Sequence, residues 1–194
     1  ILEKYPPLKD IPTISLEGYL FPDTYKFDPN IRAEALAELM LSRFSEVVMP
    51  IWEAARGNTH LSLHELLTLA SIVEKEAQIP KERPVIASVF MNRLKIRMKL
   101  DADPTVKYSL EAPQKIVRYK DLKVESPYNT YMNPGLPPGP ICNPGLASIQ
   151  AVLHPADTQY LYFVADPTGH HIFSKTHEEH LRARKKLSSK EYSP

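Results

Sequence analysis

The run Leu66-Leu67-Thr68-Leu69-Ala70-Ser71-Ile72-Val73 passes straight into Glu74-Lys75-Glu76-Ala77, and no other stretch constrains the fold as tightly. Ser62 with Glu65 three residues on fits a capping box, and Pro80 lies just past the far end. The pattern therefore predicts a helix from Ser62 to about Ala77. At roughly 100° per residue, Leu63, Leu66, Leu67, Leu69, Ala70, Ile72 and Val73 cover most of the circumference. A helix that is apolar nearly all round must be packed on most sides. Both Glu74 and Glu76 fall inside its apolar arc, while Lys75 points to water.

A carboxylate in such a place is expensive to ionise, by several kcal/mol, or it takes up a proton. A carboxylic acid kept protonated near neutral pH is what a glycosidic oxygen needs as proton donor. The negative end of the helix dipole adds only ~0.3–1 kcal/mol, so burial must supply the remainder. Periodicity does not choose between the two glutamates. The plainer alternative is a solvated helix end paired with Lys75, Lys81 or Arg83. Ordinary glycoside hydrolysis would require a second carboxylate, and Asp101 and Asp103 are the candidates. Asp103, which precedes Pro104, also suits a turn or cap.

Other helices are expected over Ile31 to Val48 with Pro50 closing it, from Pro84 in a first turn to about Met98, over Leu146 to Leu153, and in a charged tail from His177 to Lys190. Leu16 to Phe21 reads as a strand or extended piece, and a turn and short irregular segment should come after Pro104. Tyr160 to Ala165 is the best strand, with Ile172-Phe173 as hairpin partner across Asp166-Pro167-Thr168-Gly169. Six of the 19 prolines lie between Pro127 and Pro144, which excludes helix there. So long a loop, rich in Tyr, Asn and Gly as well, suits sugar recognition.

The 194 residues suffice for one domain with a real core, and the net charge of +1 gives no footprint for nucleic acid. A lone Cys142 excludes an internal disulfide. No apolar run reaches the ~20 residues that span a bilayer. The cluster His170, His171, His177 and His180 lacks the spacing and the cysteines of a metal site, so hydrogen-bonding or core histidines are expected, with no metal and no cofactor.

In order along the chain, Leu16-Glu17-Gly18-Tyr19-Leu20-Phe21-Pro22-Asp23-Thr24-Tyr25, Ala70-Ser71-Ile72-Val73-Glu74-Lys75-Glu76, Ala87 to Leu94, Asp103-Pro104-Thr105-Val106, Tyr128-Asn129-Thr130-Tyr131, Gly135 to Ile141, His154-Pro155, Tyr160 to Val164, His171-Ile172-Phe173 and His180 form one series. It resembles the MltG-type (YceG-like) endolytic murein transglycosylases over about residues 15 to 185. Leu181 departs from the pattern, since a polar Asn commonly comes after the terminal histidine. The resemblance implies an α+β fold: a helix-rich catalytic domain over 28–194 with a lysozyme-like active-site region and a small β-sheet, preceded over 1–27 by the end of a LysM-like module.

The same resemblance implies cleavage of the MurNAc-β-1,4-GlcNAc bond within glycan strands, giving 1,6-anhydro-MurNAc ends and limiting strand length. It points to Glu76 as the single acid/base and to Glu74 as a neighbour that tunes or orients it. Asn92, Arg93, Asp103, Tyr128, Asn129, Thr130 and Tyr131 are implied to hold the glycan. The partners implied are peptidoglycan glycan strands and cell-wall synthases, on the periplasmic side of the cytoplasmic membrane, through an N-terminal anchor that precedes this segment. A hydrolytic muramidase using Glu76 and Asp103, and a non-catalytic peptidoglycan-binding module, are the alternatives.

Overall fold

The computed structural model describes residues 15–110 and 117–191. Helices α1 (Ala33–Ala55), α2 (Leu63–Glu76), α3 (Arg83–Lys95), α4 (Asp103–Ser109), α5 (Leu146–Leu153) and α6 (His177–Glu191) accompany one hairpin of strands β1 (Tyr162–Ala165) and β2 (His171–Ser174). The strands pair antiparallel with Tyr162 opposite Ser174 and Ala165 opposite His171. This is the helix-rich α+β arrangement with a small sheet that the sequence suggests. Most of residues 1–27, where the LysM-like remnant is expected, lie outside the described residues.

At the centre stands α2. Every residue from Leu66 to Val73 is buried, Thr68 and Ser71 included. The capping box forms as expected: Ser62 Oγ accepts from Glu65 N while the Glu65 carboxylate accepts from Ser62 N. The two buried hydroxyls need partners, and the helix itself supplies them. Thr68 Oγ1 donates to His64 O at 2.7 Å and Ser71 Oγ to Thr68 O at 2.7 Å. Around α2 pack α3, α5 and α4, with Leu41, Phe44 and Val48 of α1 in the same core.

The proline-rich segment 128–145 is fastened along α2. Ile141 N donates to Ser71 Oγ at 3.0 Å. His64 Nε2 lies 2.8 Å from Pro138 O, and a carbonyl only accepts, so Nε2 carries the proton and Nδ1 is left to take the Tyr19 hydroxyl at 2.7 Å. Asn143 Oδ1 accepts from Gly18 N at 2.7 Å and Leu20 N at 3.3 Å. Residues 16–20 are accordingly a buried turn rather than a strand. Gly18 sits at φ +92, and Tyr19 N closes the turn on Leu16 O at 3.0 Å.

Three further boundaries differ from expectation, each for a local reason. Helix α1 runs through Pro50 to Ala55 instead of closing there. Pro50 and Glu46, whose carbonyl loses its helical donor, are both exposed, so water can satisfy that oxygen. Helix α3 stops at Lys95 rather than Met98, because Arg97 enters the left-handed region at φ 56 and Met98 N returns to Arg93 O at 2.9 Å. That closure normally advertises itself with glycine. The segment after Ala102 is helix α4 with Pro104 in its first turn, not an irregular piece.

Candidate active site

The last turn of α2 delivers its two glutamates to different surroundings. Glu74 turns toward α5: its Oε2 accepts from Ser148 Oγ at 2.6 Å and Gly145 N at 3.2 Å, and Oε1 lies 3.5 Å from Arg83 Nη2. It therefore fastens the start of α5 and is not among the residues that line the cleft Glu76 enters. Glu76 opens into a cleft of about 760 Å³ and has neither a hydrogen bond nor an ion pair among the described residues.

Part of Glu76 faces the open cleft, but protein surrounds the carboxyl closely enough that loss of hydration dominates its titration. Its pKa is pushed up to about 8, first by that burial and then by the negative charge of Asp103. Lys107 and Arg93 pull the other way without prevailing. With no donor to stabilise the anion, the protonated form prevails at neutral pH.

Facing Glu76 are Asp101 from the turn between α3 and α4 and Asp103 from the first turn of α4, with Tyr131 from the proline-rich segment. Tyr131 Oη donates to Asp103 Oδ1 at 2.7 Å, and burial with that bond raises the phenol far above its ordinary range. Asp101 holds a left-handed backbone at φ 45, beside Arg93 Nη1 at 3.9 Å. Non-glycine residues in that region are strained and concentrate at functional sites. Burial raises the pKa of Asp101, against the attraction of Arg93 and Lys99.

Arg93 is 8% exposed, and it organises one side of the cleft. Its Nε donates to Leu161 O at 2.6 Å and its Nη1 to Leu100 O at 2.7 Å and Lys99 O at 3.3 Å. The guanidinium also lies 5.3 Å from the Tyr162 ring centre, and His180 stacks on that ring at 5.4 Å. A planar, five-donor group can serve three carbonyls at once, which lysine could not. Asn92 next to it donates to Thr158 O at 2.8 Å and Tyr160 O at 3.1 Å. Together the pair fixes the approach to β1.

Of the residues singled out in the sequence, Glu76, Arg93, Asp103 and Tyr131 are brought together in the cleft; Glu74, Asn92, Tyr128, Asn129 and Thr130 are not. The latter act one layer back. Thr130 Oγ1 accepts from Ala102 N at 3.0 Å and meets Thr105 Oγ1 at 2.9 Å. Asn129 Nδ2 donates to Leu122 O and Val124 O, and its Oδ1 accepts from Tyr131 N at 3.0 Å. These bonds set where Tyr131 and Asp103 stand. Tyr128 packs on Tyr108 with ring centres 4.7 Å apart.

The cleft also receives Lys107, Tyr162, His171, His177 and His180, of which only the histidines stood out in the sequence, along with Lys75 from α2 itself. Nothing in local periodicity ties the first five to Glu76, since they arrive through the packing of α4, the hairpin and α6. Burial lowers the pKa of His180, with Arg184, His177 and Arg93 contributing, and its Nδ1 is buried without a partner among the described residues. No group of three His, Cys, Asp or Glu side chains gathers as metal ligands among the described residues. No described helix is long and apolar enough to cross a membrane.

Comparison with known proteins converges on the same scaffold. The chain is 48% identical over 177 residues to a protein of Bacillus subtilis (strain 168) named endolytic murein transglycosylase, covering 90% of this chain and 49% of that protein. A protein of the same name from Streptococcus pneumoniae serotype 2 is 36% identical over 188 residues, covering 94% and 34%. The chain thus spans half or less of the length of these relatives. A 2.6 Å crystal structure of a YceG-like protein from Listeria monocytogenes superposes with a TM-score of 0.86 at 43% identity, over 94% of this chain and 62% of that one. Residues 3–186 match the YceG-like family model, and with that near-complete match the chain belongs to the YceG-like family.

Proposed function

We propose that this chain carries the catalytic centre of an endolytic murein transglycosylase, with Glu76 as its single acid/base. The observation that supports this best is the unpartnered, desolvated carboxyl of Glu76 at the cleft. Its raised pKa keeps a proton available at neutral pH, as general acid catalysis requires. The names of the relatives agree with that chemistry.

The substrate in this reading is a peptidoglycan strand, cut at the MurNAc-β-1,4-GlcNAc bond. Glu76 gives its proton to the bridging oxygen as the bond from that oxygen to C1 of the muramoyl residue breaks. The 6-hydroxyl of the same residue then bonds to C1, and its proton goes to the Glu76 carboxylate. The balance is one bond broken and one formed, with the acid regenerated and no water consumed. Because the substrate brings the nucleophile, one protein carboxyl suffices, as in a lysozyme-like site stripped of its second role. Asp103 would steady positive charge developing at C1, and Tyr131 holds Asp103 in place. Internal cuts of this kind would limit strand length. The work would be done outside the cytoplasm, beside cell-wall synthases, with an N-terminal anchor and a LysM-like module completing the protein.

Asp103 in the same cleft also supports a second reading, hydrolysis with Asp103 activating water. Mass spectrometry of purified peptidoglycan after digestion separates the two. Anhydro-muramoyl ends that fall ~10²–10⁴-fold with Glu76→Gln are expected. Reducing ends would point to the hydrolase, and glycan affinity without cleavage to a binding module.

A further inference from the structure

A second polar constellation reaches the cleft from the hairpin, and general acid catalysis by Glu76 leaves it unused. His171 in β2 is held by Glu82, which lies in the short turn between α2 and α3. The His171 backbone N–H donates to both carboxylate oxygens, at 3.2 and 3.3 Å, and the ring Nδ1 lies 2.7 Å from Oε2. The imidazole is 2% exposed. Phe163 meets it edge-on with ring centres 5.2 Å apart, which fixes the ring plane further. His171 is nevertheless one of the residues that line the cleft, and the hydrogen bonds of its ring among the described residues are all made through Nδ1.

A carboxylate only accepts, so Nδ1 carries the proton on that side. In the neutral tautomer that this bond selects, Nε2 is the acceptor. A rigidly held acceptor at a cleft can take its donor from a bound ligand in place of water. Glycan strands carry hydroxyl donors on every sugar. We propose that His171 is a substrate-binding residue whose Nε2 accepts a hydrogen bond from a sugar hydroxyl, and that Glu82 is the positioning residue that sets its tautomer. The assignment rests on the proposed glycan-cleaving function.

Anchoring the hairpin does not by itself require an imidazole. The backbone N–H of His171 already docks on Glu82, and the tip of the hairpin is seated independently. Gly169, at φ +87, lies so close to Gln78 that an added Cβ would come within 2.7 Å of Gln78 Oε1. This contact brings the hairpin against the segment just after Glu76. The imidazole is thus delivered to the wall beside the acid.

The test uses uncrosslinked glycan strands from purified peptidoglycan, with binding measured by calorimetry in a Glu76→Gln background and kinetics measured with Glu76 intact. His171→Phe keeps the backbone anchor and the aromatic packing. It should weaken binding about tenfold, the equivalent of one lost hydrogen bond, and raise KM similarly with kcat changed less than about threefold. Glu82→Gln can turn either its carbonyl or its amide N–H to Nδ1, so the ring proton is no longer fixed there, and it should cost part of that factor. The double variant should bind no worse than His171→Phe, because Glu82 acts through the ring. Unchanged affinity in His171→Phe at native melting temperature would overturn the assignment, as would fully additive losses. If His171→Phe fails to fold, His171→Leu takes its place under the same thresholds. Failure of the parent reading looks different: no cleavage with Glu76 intact, or cleavage that survives Glu76→Gln.

Discussion

Replacing Glu76 by Gln should stabilise the protein in mildly alkaline solution while leaving it unchanged in acid. The sign comes from linkage. The folded-state pKa of about 8 stands above the ordinary 4.5, so between those values the folded chain holds a proton that the unfolded chain releases. Stability is then intact below about pH 4.5 and declines as pH rises toward 8. That displacement corresponds to a ceiling of about 5 kcal/mol. Glu76 opens on a cleft that solvent can reach, so we expect about 2–3 kcal/mol to survive screening. For a chain of this length that is about 5–10 °C in Tm. The assay is thermal unfolding of both proteins from pH 4 to pH 9. Their melting temperatures should coincide at pH 4 and separate progressively, with the Gln variant the higher at pH 9. A constant offset across the range, or a wild type that gains relative to the variant as pH rises, would refute the claim that burial keeps this carboxyl protonated. Cleavage should fall over the same alkaline limb, since the acid loses its proton there.

Two further substitutions probe the supports of the cleft. Gly18→Ala puts a Cβ 2.3 Å from Pro140 Cγ at a backbone φ of +92, so urea unfolding should show a loss of about 2 kcal/mol or more. Ser148→Ala removes the 2.6 Å bond to Glu74 and the acceptor of Arg83 Nε at 3.0 Å. It should cost about 1–3 kcal/mol in the same measurement, with cleavage per folded molecule unaltered.

Elements whose signals are local were legible in the sequence. The capping box of α2, the bounds of α5 and the hairpin from Tyr162 to Ser174 each rest on a few neighbouring residues. The failures came where a distant partner decided the outcome. Leu16 to Phe21 alternates plausibly for a strand, yet no strand was there to pair with it. Asn143, more than 120 residues away, took its amides and bent it into a turn. Helix α3 ended on Arg97 at positive φ, where nothing in the residue type announces a left-handed backbone. Tertiary bonds to Leu161, Leu100 and Lys99 from Arg93 hold the segments on either side of that closure.

Glu74 and Glu76 show most sharply where periodicity runs out. They share one helix end, one dipole and one apolar arc, so every argument from spacing applies to both. Two residues along a helix turn a side chain by roughly 200°, and that rotation exchanges one environment for another. Glu74 meets Ser148, the Gly145 amide and Arg83, groups that all favour a carboxylate, and the carboxylate in turn fixes α5. Glu76 meets no donor among the described residues; it faces the charge of Asp103, and the surrounding protein removes most of its hydration. The first arrangement secures a fold, and the second stores a proton. Which glutamate does which depends on what α4, α5 and the 128–145 segment bring to the helix end, and those contacts join residues that sequence spacing leaves far apart. A titratable group without partners among the described residues, in a cleft where neighbouring carboxyls are tied down, is therefore the mark that the proposed acid carries.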